Sequence, residues 1–350
     1  MLCSKSRVKP VACKESKPVA GRFLLNFSGT LGMGVNLFFT LSGFLISWPF
    51  WKRKVNRSEQ LIPPGYSLRR FWKIYPPLAL SVLLLTPCFI IWLGQAPLFL
   101  FTAAQWLTGL AFLMPVSGKF NPVMWSLVVE IHFYLVLPLL FLLTKPLSAK
   151  TCLWVISIFL FAVPNVVQCV AGGTTFYPEI NDSFFTGLSL FCFGVALAGV
   201  DNLKLWNPRW SRGADVGWLL MLAGLAGLAW VRMNPSAHAA ITPYLFSWTF
   251  AIGTGCLLGY AANPHNLRAR WLCSSWLRWC GIISYEWYLF HQPMIYWSRE
   301  FFGGANGGVL KYSVIIAVPL VTSLAVAALI YKNFSLPILK YGRSQKSAQK

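Results

Sequence analysis

Three short stretches put ionisable or hydroxyl-bearing residues inside apolar sequence, where each is costly and so reads as candidate chemistry. The first is Ser67-Leu-Arg-Arg-Phe-Trp-Lys-Ile-Tyr-Pro-Pro77. Arg69 and Arg70 stand four and three residues before Lys73, so a helix groups the three charges on a face suited to phosphate or a lipid headgroup. The second is Trp125-Ser-Leu-Val-Val-Glu-Ile-His-Phe-Tyr134. Helical spacing puts Ser126, Glu130 and Tyr134 on one face and sends His132 to the other side. A lone carboxylate there can orient a histidine, hold a sugar hydroxyl, or only bridge helices. The third is Gly281-Ile-Ile-Ser-Tyr-Glu-Trp-Tyr-Leu-Phe-His-Gln-Pro293, which aligns His291 with Tyr288 and Trp287 and turns Glu286 elsewhere. Neutral imidazole suits a general base, but a histidine before Pro293 also suits a bond to a freed carbonyl. A fourth stretch, residues 32–47, combines small residues with Thr40 and Ser42 and lacks a phosphate-loop lysine, so close helix packing is its plain reading.

The elements that must position these residues are membrane helices. Of 350 residues 56% are hydrophobic and 11% charged, against about 25% charged in an average soluble domain. That excludes a disordered chain and an ordinary soluble enzyme. The 30 Lys and Arg against 9 Asp and Glu give +21, yet the basic residues sit in short clusters between apolar runs. A nucleic-acid partner, which needs them on one folded surface, is not expected. The nine cysteines show no CxxC or Cys/His ligand spacing, so neither a metal site nor a disulfide framework is supported. The N-terminus has no apolar signal core.

Apolar stretches long enough to span fall at about 29–50, 74–93, 97–114, 122–144, 151–171, 183–200, 214–232, 241–261, 280–298 and 309–331. If all ten cross, the basic residues show no preference for one side. If 97–114 enters and leaves on one side, 20 of the 24 Lys and Arg beyond residue 28 become cytoplasmic. The sequence therefore predicts an all-α, multi-pass transmembrane helical bundle of about nine spans plus one re-entrant segment. It divides into a basic N-terminal tail (1–28), a membrane domain (29–335) and a basic cytoplasmic tail (336–350). Nine spans with the C-terminus inside leave the basic tail 1–28 outside, against the same rule, which raises the expectation of a further helix ahead of residue 29.

Read in order, the four stretches resemble the acyltransferase 3 family of integral membrane O-acyltransferases. The family's Gly-Val-x-x-Phe-Phe-x-x-Ser-Gly-Phe-Leu-Ile pattern is matched from Gly34 to Ile46. Its Arg-Arg-x-x-Arg-Ile-x-Pro pattern is matched by Arg69, Arg70, Lys73, Ile74 and Pro76, with Lys73 in place of an Arg. Trp125, Ser126, Leu127, Glu130, Phe133 and Tyr134 match its Trp-Ser-Leu-x-x-Glu-x-x-Phe-Tyr helix, and Ser284, Tyr285, Tyr288, Leu289 and His291 its late Ser-Tyr-x-x-Tyr-Leu-x-His. The resemblance implies transfer of an acyl group, usually acetyl from acetyl-coenzyme A, to a hydroxyl of an extracytoplasmic carbohydrate or lipid-linked glycan. No cofactor is bound permanently; acyl-coenzyme A is the donor substrate. It implies a bacterial cytoplasmic membrane, Arg69, Arg70 and Lys73 at the donor's phosphates, and Glu130 and His291 as catalytic groups. Ser42, Trp125, Ser126, Tyr134, Ser284, Tyr285 and Tyr288 become substrate or structural residues. The family's essential histidine stands on a helix ahead of the Gly-Val segment, and residues 1–28 contain no His. The alternatives are a catalytically degenerate homologue and a membrane transporter or flippase.

Overall fold

A computed structural model describes residues 34–93, 96–112, 121–171, 178–205, 213–233, 242–261, 274–302 and 309–347. The N-terminal tail and the question of a helix before residue 29 lie outside them. The described residues form helices α1 (Gly34–Val55), α2 (Tyr66–Leu93), α3 (Ala96–Thr108), α4 (Trp125–Leu143), α5 (Ala149–Ala171), α6 (Pro178–Asn202), α7 (Gly213–Met233), α8 (Thr242–Ala261), α9 (Ser275–Phe301), α10 (Val309–Ile330) and α11 (Leu336–Ser347). Short 3-10 turns cover Leu110–Phe112 and Pro122–Met124, a π turn covers Tyr331–Ser335, and no strand occurs among the described residues.

Side-chain pairs give the helix directions. α1 and α6 run parallel, with Phe39 beside Gly187 near one end and Trp51 beside Gly199 near the other. Their backbones touch at Gly43 and Gly194: a Cβ on Gly194 would lie 2.0 Å from the Thr40 carbonyl oxygen, and one on Gly43 2.5 Å from that of Phe191. Small residues are what allow such an approach between membrane helices. The packing reading of the stretch from Gly32 is thus accounted for from its described residues.

α2 and α4 run antiparallel. The Tyr66 hydroxyl, at the start of α2, donates to the Tyr134 carbonyl halfway along α4. Further up α2, the Ile74 carbonyl accepts from Tyr285 of α9, one turn before Tyr288, which bonds Val123 just ahead of α4. No crossing therefore separates α2 from α4. The intervening α3 has 13 residues, about 20 Å of helix against a hydrocarbon core of about 30 Å. Its Phe99 stacks on Phe89 near the end of α2, and its Leu107 carbonyl accepts from Tyr75 lower down. It dips in alongside α2 without crossing, as the charge count required. The remaining nine described helices before α11 have 19 to 28 residues each. Five candidate spans are long and apolar enough to cross by length and composition alone. The protein is an all-α membrane bundle.

Three helix-interior prolines each leave the carbonyl four residues back without its amide partner. In each case a neighbouring element supplies a donor. Tyr66 bonds the Tyr134 carbonyl freed by Pro138, Asn121 Nδ2 bonds the Leu289 carbonyl freed by Pro293, and Ser298 bonds the Ile315 carbonyl freed by Pro319. At the end of the bundle rich in Lys and Arg, buried Lys54 donates to the Thr144 and Lys145 carbonyls at 2.8 and 2.9 Å, capping α4. The C-terminal tail, read from the sequence only as basic and cytoplasmic, is described as far as Ser347. It is the helix α11, laid on α2 with Gly342 against the Trp72 ring and Tyr341 edge-on to it.

Candidate functional site

Four helices bring the sequence motifs to one cavity. Phe38, Ser42, Leu45 and Ile46 of α1, Arg70, Lys73 and Ile74 of α2, Glu130 and Tyr134 of α4, and Ser284 and Tyr285 of α9 line about 70 Å³. That holds on the order of five water molecules. The register of the walls follows from the helices themselves. Tyr285 donates to the Ile74 carbonyl at 2.9 Å, which locks α9 to α2 beside Lys73. The Gly43–Gly194 contact draws α1 inward from its other face.

Within the cavity Glu130 is buried and accepts the hydroxyl hydrogen of Tyr134, one turn along the same helix. The Arg70 guanidinium sits between two rings, 5.9 Å from the centre of Tyr66 and 5.4 Å from that of Tyr134, in cation–π geometry. Lys73 faces Glu130 and also a second buried carboxylate, Glu286 of α9, at electrostatic range. Ser42 is buried, and the Ser284 hydroxyl donates to the Gly281 carbonyl at 2.9 Å. Lys73, Ser284 and Leu45 are exposed and mark the rim. Arg70 held between two rings, a buried carboxylate and the buried Ser42 and Tyr134 hydroxyls thus share one small space, with the Lys73 ammonium at its exposed rim. Charges act strongly there on a bound anion or a developing oxyanion.

Not every candidate residue joins them. Arg69 is exposed and turned away, its guanidinium donating to the Pro64 carbonyl at 2.6 Å. The grouping of three charges on one face is therefore a pair, Arg70 and Lys73, with Arg69 outside. His291 lies beyond the cavity lining, with Nδ1 bonded to the Tyr288 carbonyl at 2.7 Å. The carbonyl freed by Pro293 is that of Leu289, and Asn121 takes it, so His291 is not needed for that duty. Ser126 and Tyr288 pair one turn past Glu130, Trp125 packs edge-on to Phe39, and His132 bonds back to the Val128 carbonyl. Phe38 stood within the matched Gly-Val-x-x-Phe-Phe pattern without a role of its own, and two contributors went unremarked in the sequence, Tyr66 and Asn121. The prolines signalled that donors were needed for the last two, but not which residues would serve.

Fold and site together define a multi-pass membrane protein with a cationic, carboxylate-bearing pocket inside its helical bundle. The family model described as an acyltransferase domain matches residues 16–332, and the chain belongs to this family, acyltransferase 3. It is similar to O-acetyltransferase OatA of Staphylococcus aureus (strain NCTC 8325 / PS 47), 24% identical over 343 residues. That match covers 89% of this chain and 53% of OatA, so the chain spans about half the length of that relative. It is also similar to acyltransferase MdmB of Streptomyces mycarofaciens, 25% identical over 339 residues, covering 89% of this chain and 80% of MdmB. No solved structure matches the chain.

Proposed function

We propose that this protein is a membrane O-acyltransferase of a bacterial cytoplasmic membrane. It moves an acyl group, acetyl in the first instance, from acyl-coenzyme A to a hydroxyl of a carbohydrate or lipid-linked glycan acceptor on the opposite side. One observation carries the reading: residues from four motifs far apart in the sequence line a single cavity within the bundle. Membership of the acyltransferase 3 family and the names of OatA and MdmB support it.

The cavity is of a size for a small acyl thioester and not for a nucleotide. The donor's phosphates then stay at the rim, toward the basic end, where Lys73 and Arg70 supply charge-assisted hydrogen bonds. In the reaction the acceptor oxygen bonds to the acyl carbon while its proton passes to a base. Glu130 is the carboxylate in the cavity, and Tyr134 holds its orientation. The carbon–sulfur bond of the tetrahedral intermediate breaks, and the departing thiolate takes the proton. The positive side chains offset the oxyanion before that break.

Membranes holding the protein, given acetyl-labelled coenzyme A, are expected to label a surface glycan. Loss of a charge-assisted bond costs about 1.5–3 kcal/mol, or ten- to a hundredfold. Arg70→Ala with Lys73→Ala should thus lower transfer at least a hundredfold, while Arg69→Ala stays within about threefold of the parent. Equal losses from Arg69→Ala and Arg70→Ala would remove the donor role given to the cavity.

A further inference from the structure

The polar residues of the cavity continue past its end. On α4, Tyr134, Glu130 and Ser126 recur at every fourth position, and on α9 Ser284, Tyr288 and His291 follow at steps of four and three. Both series therefore run along one helix face away from the basic end. The cavity lining includes Phe38, and the Tyr288 ring stacks on Phe38 with centroids 6.4 Å apart and planes within 6°. The Tyr288 hydroxyl lies 2.6 Å from Ser126 Oγ. Both oxygens also reach the Val123 carbonyl, at 2.9 and 3.0 Å.

Three oxygens here share two protons, so the three contacts cannot all carry a hydrogen at once. Either hydroxyl can donate to Val123 while the other donates to its neighbour. The Ser126–Tyr288 contact can therefore part with each hydroxyl still donating to the Val123 carbonyl, so the count of hydrogen bonds stays at two. If this pair served packing alone, an apolar contact would do the same without placing hydroxyls in the membrane. An aromatic face, two exchangeable hydroxyls and a carboxylate one turn away are instead complementary to a polyol, whose C–H face stacks on rings while its hydroxyls trade hydrogen bonds.

We infer that Ser126 and Tyr288 form the acceptor side of the site: they bind the carbohydrate hydroxyl and present it to Glu130, and their mutual contact closes that side when no acceptor is present. This rests on the acyl-transfer reading above. His291 follows one turn further out. Because its Nδ1 meets a carbonyl, that nitrogen carries the hydrogen, and Nε2 of the neutral ring is left as an acceptor.

The test uses membranes with the full chain, acetyl-coenzyme A as donor, and chitotriose and octyl glucoside as acceptor probes. Tyr288→Phe keeps the ring on Phe38 and removes only the hydroxyl. It should raise the KM for the glycoside about tenfold and leave the KM for acetyl-coenzyme A unchanged. Ser126→Ala should do the same, and Ser126→Thr, which keeps a hydroxyl, should restore most of the affinity. A rise in the donor KM instead, no change in either, or a Thr variant no better than Ala would overturn the assignment while leaving acyl transfer standing. A parent protein that acetylates neither probe would overturn the acyl-transfer reading, and this assignment with it.

Discussion

The Gly194→Ala substitution isolates the contact that holds α1 against α6. The added Cβ would sit 2.0 Å from the Thr40 carbonyl oxygen and 2.5 Å from the Phe44 nitrogen. Both are backbone atoms, so no rotamer change relieves the clash, and the helices must separate by more than about 1 Å to reach van der Waals distance. Overpacking of this kind costs about 2–3 kcal/mol, and alanine recovers about 1 kcal/mol of helix propensity. The net loss is about 1–2 kcal/mol, a fall of a few degrees in Tm. The functional loss should be larger than the stability loss. α1 carries Ser42 and Phe38 into the cavity, and a wall displaced by about 1 Å can cost a hundredfold in rate. The assay pairs thermal unfolding of detergent-solubilised protein with acetyl transfer in membranes. Gly255→Ala is the control, because a Cβ there meets nothing within 4 Å and should be neutral or stabilising. If the Gly194 variant proves as stable and active as the Gly255 variant, the reasoning about backbone contact fails.

Two further outcomes follow from features of the fold. Asn121→Leu strands the buried Leu289 carbonyl and should cost about 1–3 kcal/mol in thermal unfolding. Adding Pro293→Ala restores an amide to that carbonyl, so the double variant should regain stability, and an additive pair would refute the proline argument. Lys204 stands exposed just past α6, at the end shared with Lys54 and Lys145. A cysteine placed there, in a background without native thiols, should resist impermeant thiol reagents in intact cells; ready labelling would reverse the orientation.

The spans were legible because apolar length and basic loops are one-dimensional properties. The described helices stay within a few residues of the expected stretches, apart from early starts at Tyr66, Pro178 and Ser275, a late end at Val55 and an early one at Thr108. The re-entrant third segment followed from charge counting alone, and the lengths and directions of α2, α3 and α4 agree with it. The convergence of Ser42, Arg70, Lys73, Glu130, Tyr134, Ser284 and Tyr285 was only partly legible. Spacing places Arg69 as near to Lys73 as Arg70 is, but the facing of α2 is set by Tyr285 on Ile74 and by the rings around Arg70. Those are contacts between helices, and no periodicity within one helix encodes them. For His291 the sequence allowed a bond to the carbonyl freed by Pro293, but that carbonyl, of Leu289, goes to Asn121 from another element, and His291 bonds the Tyr288 carbonyl of its own helix.

The prolines of α4, α9 and α10 carry a consequence for assembly. A helix inserted alone in a bilayer can satisfy all of its backbone except the carbonyl that each such proline leaves bare. That single vacancy is met by Tyr66, Asn121 or Ser298, each from a different element. A correct neighbour at the correct depth is rewarded with a hydrogen bond that lipid cannot offer, and a neighbour slid by one turn is not. The freed carbonyls thereby act as address labels, allowing helices that are nearly featureless to one another in lipid to find a single register.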